Sequence, residues 1–389
     1  MAALFDTVPA KLTAASSVLT PPIRRSLAMV AVWLVIVNIF ALMALNRLNI
    51  APDTALEWMS PETFKVKQSW DIISLHNRWD SYWYLDIAEK GYYLRGENTQ
   101  ANVVFFPLYP LLVSLVGHLT GGDRVLAGWI LSSVFLALAV AMLTQLTRVF
   151  HPDIDPMRPA MFLLVYPTAF FLNAVYTESL FLFLSLAMVY CALKRNFVMA
   201  GVCAALASAT RIAGLFLFVV IFVEFVQAFG WRALFTRRVW PLALAPSGIL
   251  AFFAYHWVSF GDFFIFLKVQ KTFGRDFNSH LKDLLAVHNN PDLVHTVLDL
   301  SYTALIIVLA FLALRRFRPS YGIYMLVSLA VALSTGTALG IARYGMVMFP
   351  VYLIGAGIRS PVGRHAWLFS SALLLALNIT RFVHHYWSG

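Results

Sequence analysis

Charged residues are scarce in this sequence: Asp, Glu, Lys and Arg make up 12% of the 389 residues, whereas hydrophobic residues make up 60%. A soluble domain of this length does not bury so much apolar surface in a single core. Several apolar runs reach the roughly 20 residues that a helix needs to cross the hydrocarbon region of a bilayer. The composition therefore predicts an all-α, polytopic integral membrane protein.

Cysteine and metal-binding motifs are also scarce. The two cysteines, Cys191 and Cys203, both fall in apolar segments, which excludes a disulfide framework and a cysteine-based metal site. The sequence lacks an HExxH motif, a Cys/His cluster and the GxxxxGK[ST] loop of nucleotide-driven transport. Asp153 and Asp155 form an Asp-x-Asp string, but prolines bound it, and we interpret it as a cytoplasmic loop. We therefore expect no metal and no cofactor.

The formal net charge of +10 does not indicate a nucleic-acid partner. The basic residues stand at the ends of apolar runs, as the positive-inside rule predicts, and form no basic stripe on a polar scaffold. Binding of some of these residues to anionic lipid headgroups or lipid phosphates is a weaker alternative.

Hydropathy and charge together predict eleven spans in a single domain, residues 1–389. The positive-inside rule places the N-terminus and all the short basic loops in the cytoplasm. This holds only if segment 104–119 does not cross the membrane. We therefore interpret that segment as juxtamembrane or re-entrant. Two long polar loops, 48–103 and 260–298, then face the other side. The predicted spans are 27–47, 125–147, 160–175, 178–193, 198–212, 213–229, 239–259, 299–314, 320–338, 344–358 and 366–383.

The first polar loop contains the stretch NRWDSYWYLDIAEKGYY, residues 77–93. If residues 80–93 are helical, Asp80 shares one face with aromatic and apolar side chains such as Trp83. Glu89 then projects to the opposite side, so the acids do not form one carboxylate cluster. A lone aspartate on an aromatic face beside a membrane suits a single general base acting near a sugar or a lipid.

Simpler interpretations of this stretch are open as well. Asp80 can serve only as the N-cap of a helix, a position that aspartate favours. Asp86 and Lys90 stand at i and i+4 and can form a salt bridge. The tryptophans and tyrosines can form an interfacial aromatic belt.

This stretch and the FFPLYPLL that follows it resemble the PIG-V-type mannosyltransferases, which add the second mannose in GPI-anchor assembly. Three later segments resemble further motifs of that family: NAVYTESLF at 173–181, ATRIAGLF at 209–216 and ARYGMVMFP at 342–350. Thr177 stands where the family has a serine. The matching residues of the first stretch are Trp79, Asp80, Ile87, Ala88, Glu89, Gly91, Tyr92, Phe105, Phe106, Pro107 and Pro110.

The resemblance implies the GT-C glycosyltransferase architecture, in which multi-span enzymes take a sugar from a lipid carrier, commonly a polyprenyl phosphate, on the non-cytoplasmic side. It also implies that an acidic residue of the first outer loop is the catalytic base, and in this sequence that residue is Asp80. By the same resemblance Trp79, Glu89 and Tyr92 contact the substrates, although Glu89 can instead support the fold of the loop.

An inverting transfer needs a base for the acceptor proton and positive charge to stabilise the leaving lipid phosphate. Arg211 and Arg343 interrupt or flank apolar runs, where a charge costs at least ~2.5–3.5 kcal/mol, and we expect them to bind phosphate. The alternatives are a structural ion pair, with Glu178 for example, or a side chain extended to the membrane surface. Glu178 is itself a candidate for orienting the acceptor or an arginine. His256 is interpreted as a hydrogen-bonded structural residue.

We therefore predict a membrane enzyme, a mannosyltransferase that moves mannose from polyprenyl-phosphate-mannose to a lipid-linked or cell-envelope glycan acceptor with inversion. The compact length indicates the plasma membrane of a prokaryote, with the active site on the non-cytoplasmic side. Another polyprenyl-phosphate sugar is an open alternative for the donor. A lipid or sugar transporter is the alternative class, but transporters tend to carry charges at mid-membrane within inverted repeats.

Overall fold

The protein consists of helices joined by loops, and the described residues contain no strand. The computed structural model describes residues 20–48, 69–96, 99–275, 293–335, 338 and 340–386. The helices in chain order are α1 Pro21–Arg47, α2 Ser81–Lys90, α3 Leu108–Gly117, α4 Arg124–Phe150, α5 Arg158–Leu164, α6 Glu178–Leu193, α7 Phe197–Ser208, α8 Leu217–Phe229, α9 Ser247–Phe260, α10 Ile265–Gln270, α11 Leu293–Arg316, α12 Pro319–Leu333, α13 Ile341–Met346, α14 Pro350–Ala356 and α15 Pro361–Val383. Short 3-10 turns connect several of them, at Ser74–His76, Asn102–Val104, Ala169–Leu172, Ile212–Phe216, Trp231–Phe235, Arg237–Leu244 and Lys271–Phe273.

Five helical segments of the described part are long and apolar enough to cross a membrane. A sixth crossing results if the turn Arg237–Leu244 and α9, which meet at a bend of 57°, form one broken span. The five segments are α1, α4, Ile212–Phe229, Val297–Arg316 and α15. The architecture is that of an integral membrane protein, but the predicted count of eleven spans is not confirmed.

Two of the predicted spans are not continuous helices. In segment 160–175, α5 ends at Leu164 and irregular backbone follows, because Pro167 cannot continue a helix. In segment 344–358, α13 ends at Met346 and Pro350 begins the separate helix α14. Segment 104–119 contains only the ten residues of α3 as helix, about 15 Å or half of the hydrocarbon thickness, which agrees with a segment that does not cross.

Helix α6 lies inside the bundle, packed against α4, α7 and α8. Most of its residues are buried, on every side of the helix, which explains its uniformly apolar sequence. The first residue of α6, Glu178, therefore lies in the protein interior. The turn Ile212–Phe216 approaches α7 so closely that a Cβ on Gly214 would lie 2.3 Å from backbone atoms of Ala207. Only glycine fits there, and its backbone N–H donates to the Arg211 carbonyl at 2.9 Å.

The first loop folds around α2, which ends at Gly91 with a φ of 75°. Asp86 accepts hydrogen bonds from Lys90 Nζ (3.1 Å), the Tyr93 hydroxyl (2.6 Å) and Asn102 Nδ2 (3.1 Å). The predicted pair of Asp86 and Lys90 is therefore confirmed. Burial opposes ionisation of Asp86, but these hydrogen bonds outweigh it and lower the pKa of the carboxyl.

The aromatic side chains of α2 pack mainly within the protein. The buried Tyr84 makes edge-to-face contacts with Phe105, Tyr109 and Tyr176, at centroid distances of 5.2, 5.6 and 6.1 Å. Trp83 stacks on Phe105 at 5.7 Å. These contacts join α2 to the FFPLYP segment and to the residues before α6, so they are packing contacts rather than an interfacial belt.

Candidate active site

Four charged side chains from distant parts of the sequence form one cluster: Asp80, Glu178, Arg211 and Arg343. Arg343 connects the two acids, since its Nη1 donates to Asp80 Oδ2 at 2.7 Å and its Nε donates to Glu178 Oε1 at 2.5 Å. Arg211 Nη1 donates to the same Oε1 of Glu178. Two acids and two arginines give the cluster a formal charge of zero. In this structure each predicted phosphate-binding arginine is therefore already paired.

Asp80 stands at the N-cap position of α2, but its side chain makes no capping hydrogen bond. The interpretation of Asp80 as only an N-cap is therefore wrong, because its carboxylate turns towards Arg343. The preceding residue, Trp79, has a φ of 56°, a conformation that is unfavourable for a bulky residue and that often occurs at functional sites. The Asp80 backbone N–H donates to the Tyr176 hydroxyl at 3.1 Å, which fixes the start of the helix.

Glu178 is completely buried, and a buried carboxylate requires compensating partners. Both arginines supply them, so the alternative interpretation, a structural ion pair with Glu178, is confirmed. Thr177, the residue that departs from the family pattern, also belongs to the cluster, because its hydroxyl accepts a hydrogen bond from Arg211 Nη1 at 3.3 Å.

Arg343 lies inside the protein and does not extend to the membrane surface. Its side chain is 8% exposed, against 21% for Asp80. Its guanidinium lies over the rings of Tyr176 and Phe171, at 4.8 and 5.0 Å from their centroids. These rings and the two acids hold the Arg343 guanidinium in place, so that it supports the Asp80 carboxylate.

Arg211 directly precedes Ile212, which lines an open cavity beside the cluster. Its guanidinium is 5.9 Å from the ring centroid of Tyr344, a residue of the cavity wall. The wall is mostly apolar, and Arg275 contributes its cationic side chain. The lining residues are Ile212, Ala213, Phe216, Phe266, Gln270, Arg275, Tyr324, Ser328, Val331, Ala332, Thr335, Tyr344, Val347 and Met348.

The other predicted site residues lie outside the ion cluster. Trp79 is half-buried beside Asp80 and packs against the core. Glu89 is exposed, with its carboxylate 3.9 Å from Arg124 Nη1. The hydroxyl of Tyr92 donates to the Phe105 carbonyl at 2.7 Å. The substrate contacts predicted for these three residues stay predictions.

His256 is buried among aromatic rings, including Phe252 at 4.1 Å and Tyr92 at 6.1 Å. Neither ring nitrogen has a hydrogen-bond partner among the described residues. The interpretation of His256 as a hydrogen-bonded residue is therefore wrong, although the side chain does pack in the interior.

Sequence reasoning assigned no role to Tyr176, Tyr344 or Arg275. The first two lie within the segments that resemble family motifs, next to Thr177 and Arg343, and that proximity was the available signal. Nothing local distinguishes Arg275 from other loop arginines. In the described part of the chain, no group of three or more His, Cys, Asp or Glu side chains is arranged to hold a metal ion.

The family model described as Mannosyltransferase (PIG-V) matches residues 24–240, more than half of the chain. The matched range includes Asp80, Glu178 and Arg211 and ends before Arg343. No curated protein matches the chain.

Among solved structures, ArnT from Cupriavidus metallidurans bound to undecaprenyl phosphate is 13% identical, with a TM-score of 0.48, over 92% of this chain and 76% of ArnT. The archaeal oligosaccharyltransferase AglB from Archaeoglobus fulgidus, in complex with an inhibitory peptide and a dolichol-phosphate, is 16% identical, with a TM-score of 0.44. That similarity covers 93% of this chain and 56% of AglB, so this chain matches about half of the length of AglB.

Proposed function

Since the chain belongs to the mannosyltransferase (PIG-V) family, we propose that it transfers mannose from polyprenyl-phosphate-mannose to a hydroxyl group of a lipid-linked or cell-envelope glycan, with inversion at the anomeric carbon. Membership of this family supports mannose as the transferred sugar. The geometry of the four-residue ion cluster supports the roles of individual side chains.

Asp80 is the general base of the proposed reaction, and the arrangement of its two carboxylate oxygens carries this assignment. Oδ2 is held by Arg343, whereas Oδ1 accepts no hydrogen bond from the described residues. The side chain is also one-fifth exposed, so an acceptor hydroxyl can reach it. One oxygen fixed and one available is the arrangement that a positioned base needs.

Arg211 is the proposed contact for the donor phosphate. Its hydrogen bonds to described residues all leave from Nη1, so the edge formed by Nε and Nη2 stays available. A guanidinium edge with two N–H groups matches two oxygens of a phosphate. Arg343 has less capacity for this role, because its Nε and Nη1 are both used by the acids.

The cavity beside Arg211 is the proposed site of the donor lipid near its phosphate. Apolar side chains form most of its wall, as an isoprenoid chain requires, and Arg275 supplies a second cation. In the proposed step Asp80 Oδ1 takes the proton of the acceptor hydroxyl while the oxygen of that hydroxyl bonds to the anomeric carbon. The bond between that carbon and the phosphate oxygen breaks, and the polyprenyl phosphate leaves as an anion stabilised by Arg211.

The proposed location is the plasma membrane of a prokaryote, with the ion cluster facing the non-cytoplasmic side. The distribution of basic residues supports this orientation, since Arg24 and Arg25 lie near the N-terminal end of α1 and Arg315 and Arg316 end α11.

A transfer assay with the purified full-length protein and a panel of polyprenyl-phosphate sugars tests the proposal. We expect mannose to be the preferred sugar, and Asp80→Asn to lower kcat by about 10²–10⁴-fold while leaving membrane insertion intact. Asp71→Asn is the matched control, because Asp71 is an exposed acid of the same loop that accepts the Ile73 N–H at 2.9 Å. Retained turnover in Asp80→Asn would contradict the base assignment, and preference for another sugar would contradict the donor.

A further inference from the structure

The proposed reaction makes no use of Arg78, although its charge is buried only two residues before Asp80. The residue is 9% exposed, and no Asp or Glu among the described residues forms an ion pair with it. Its guanidinium donates only from Nη1, to the carbonyls of Ser74 (2.5 Å) and Asn77 (2.9 Å). A buried cation that lacks a counter-charge is unfavourable, so its presence requires an explanation.

The unpaired part of Arg78 is one defined edge of its guanidinium. Nε is buried and has no partner among the described residues, and Nη2 forms no hydrogen bond with them. Nε and Nη2 lie side by side and present two parallel N–H groups. This edge is the one that binds two oxygens of a carboxylate or phosphate.

Among the described residues, two histidines lie near Arg78, and neither carries a negative charge. His76 is buried, stacks on Trp129 at 4.8 Å, and leaves its Nε2 without a partner among the described residues. Burial, and to a lesser extent the charge of Arg78, lowers the pKa of His76 to about 3. The same two causes, in the same order of size, lower the pKa of His385 to about 4. Both rings are therefore neutral at pH 7, so neither supplies a counter-charge to Arg78.

This group lies where three candidate spans end. His384, just after α15, has its Nε2 at 3.0 Å from the carbonyl of Leu48, just after α1. Trp129, the ring beneath His76, is in the second turn of α4. The ends of membrane-spanning helices lie at the level of the lipid headgroups, where phosphate is the abundant anion.

We propose that the Nε–Nη2 edge of Arg78 binds the phosphate of a membrane lipid headgroup. This phosphate site is separate from the ion cluster, whose arginines are paired with Glu178 and Asp80. The two sites are connected through Tyr176, whose hydroxyl donates to the Arg78 carbonyl at 2.9 Å and accepts the Asp80 N–H. The proposal does not depend on the transfer reaction, because its test measures lipid binding.

The test uses full-length protein, purified in an uncharged detergent and stripped of lipid. Phosphatidylglycerol, monoolein (which has no phosphate) and inorganic phosphate are added separately. Bound lipid is counted by native mass spectrometry, and the midpoint of thermal unfolding is recorded. We expect phosphatidylglycerol, but not monoolein, to bind and to raise the midpoint. Arg78→Gln should weaken that binding by about tenfold or more.

Arg95→Gln is the matched control, because Arg95 is an exposed arginine of the same loop that lies over the Trp83 ring at 4.9 Å. It should bind phosphatidylglycerol as the wild type does. Equal binding by wild type and Arg78→Gln overturns the proposal. A response to inorganic phosphate alone overturns its assignment to a lipid.

Arg78→Lys covers the case in which the glutamine variant fails to fold, since a lysine can still donate to the two carbonyls. It lacks the two-pronged edge, so its affinity should fall several-fold. Unchanged affinity in this variant overturns the proposal, as does a wild type that neither retains phosphatidylglycerol nor is stabilised by it.

Discussion

Replacing Glu178 by glutamine removes the negative charge that both arginines of the ion cluster share. The substitution keeps the size of the side chain, so it creates no cavity. It leaves Arg211 and Arg343 with only the Asp80 carboxylate between them, in a place where Glu178 is 0% exposed and water cannot replace it. Breaking a buried ion pair by removing one partner costs about 3–5 kcal/mol. That loss is a large part of the roughly 5–15 kcal/mol that stabilises a folded domain.

Thermal unfolding of the purified protein in detergent measures the effect, with Glu89→Gln as the control. Glu89 is also an acid that faces an arginine, but its side chain is 56% exposed and the pair is separated by 3.9 Å. An exposed ion pair contributes little to stability, so the control should unfold as the wild type does. We expect a large decrease of the unfolding midpoint for Glu178→Gln alone.

A double-variant cycle with Arg211→Gln separates pairing from a general effect of the substitution. If Glu178 acts by compensating the arginines, the two substitutions together should cost less than the sum of the single costs, by about 0.5–3 kcal/mol. A Glu178→Gln protein that unfolds at the wild-type temperature but transfers no sugar would refute this reasoning. Glu178 would then be a substrate contact and not the counter-charge of the cluster.

Two further outcomes are expected. Arg211→Ala should raise the KM for the polyprenyl-phosphate donor more than it lowers the unfolding midpoint, because Arg343 still pairs with the buried acid; an unchanged donor KM in steady-state kinetics would count against phosphate binding. Acidification should destabilise the first loop. Burial raises the pKa of Asp86 in the folded protein, but its hydrogen bonds outweigh burial and lower the pKa. The stability that the Asp86 carboxylate provides is therefore present above its unfolded pKa of about 3.9 and is lost as the pH falls through the folded pKa. Asp86→Asn should remove this pH dependence from thermal unfolding below about pH 4, and an unaltered profile would contradict the role of the network.

The helical class and much of the first loop follow from sequence patterns, because these depend on neighbours within one or two turns. The pair of Asp86 and Lys90 is one turn apart, and Gly91 ends the helix that carries it. The ion cluster depends instead on side chains that are far apart in the chain, such as Asp80 and Arg343. Their charges in apolar surroundings identified them as candidates, but only the packed bundle determines which acid meets which arginine.

The number of spans could not be predicted, because hydropathy does not distinguish lipid from the interior of a helical bundle. Segment 160–175 is as apolar as a span, yet it consists of α5 and irregular backbone that packs inside the protein. The irregular part is stable there because other elements bind its polar groups. Asn378 of α15 donates to the Pro167 carbonyl at 3.0 Å, and Asn38 of α1 donates to Asn173 Oδ1 at 2.9 Å.

The same breaks that interrupt two of the predicted spans also build the ion cluster. Irregular backbone at membrane depth is tolerated where it is buried in protein or lines a cavity. Here the break before α6 places Glu178 at the start of that helix, where its carboxylate turns inward. Arg343 lies on α13, a helix of six residues between two breaks, and it meets Glu178 from the other side. An interrupted helix thus brings a charged side chain to the bundle interior at its terminus. Apolar segments broken by proline near a lone charge are therefore where we would search first for buried ion clusters in related sequences.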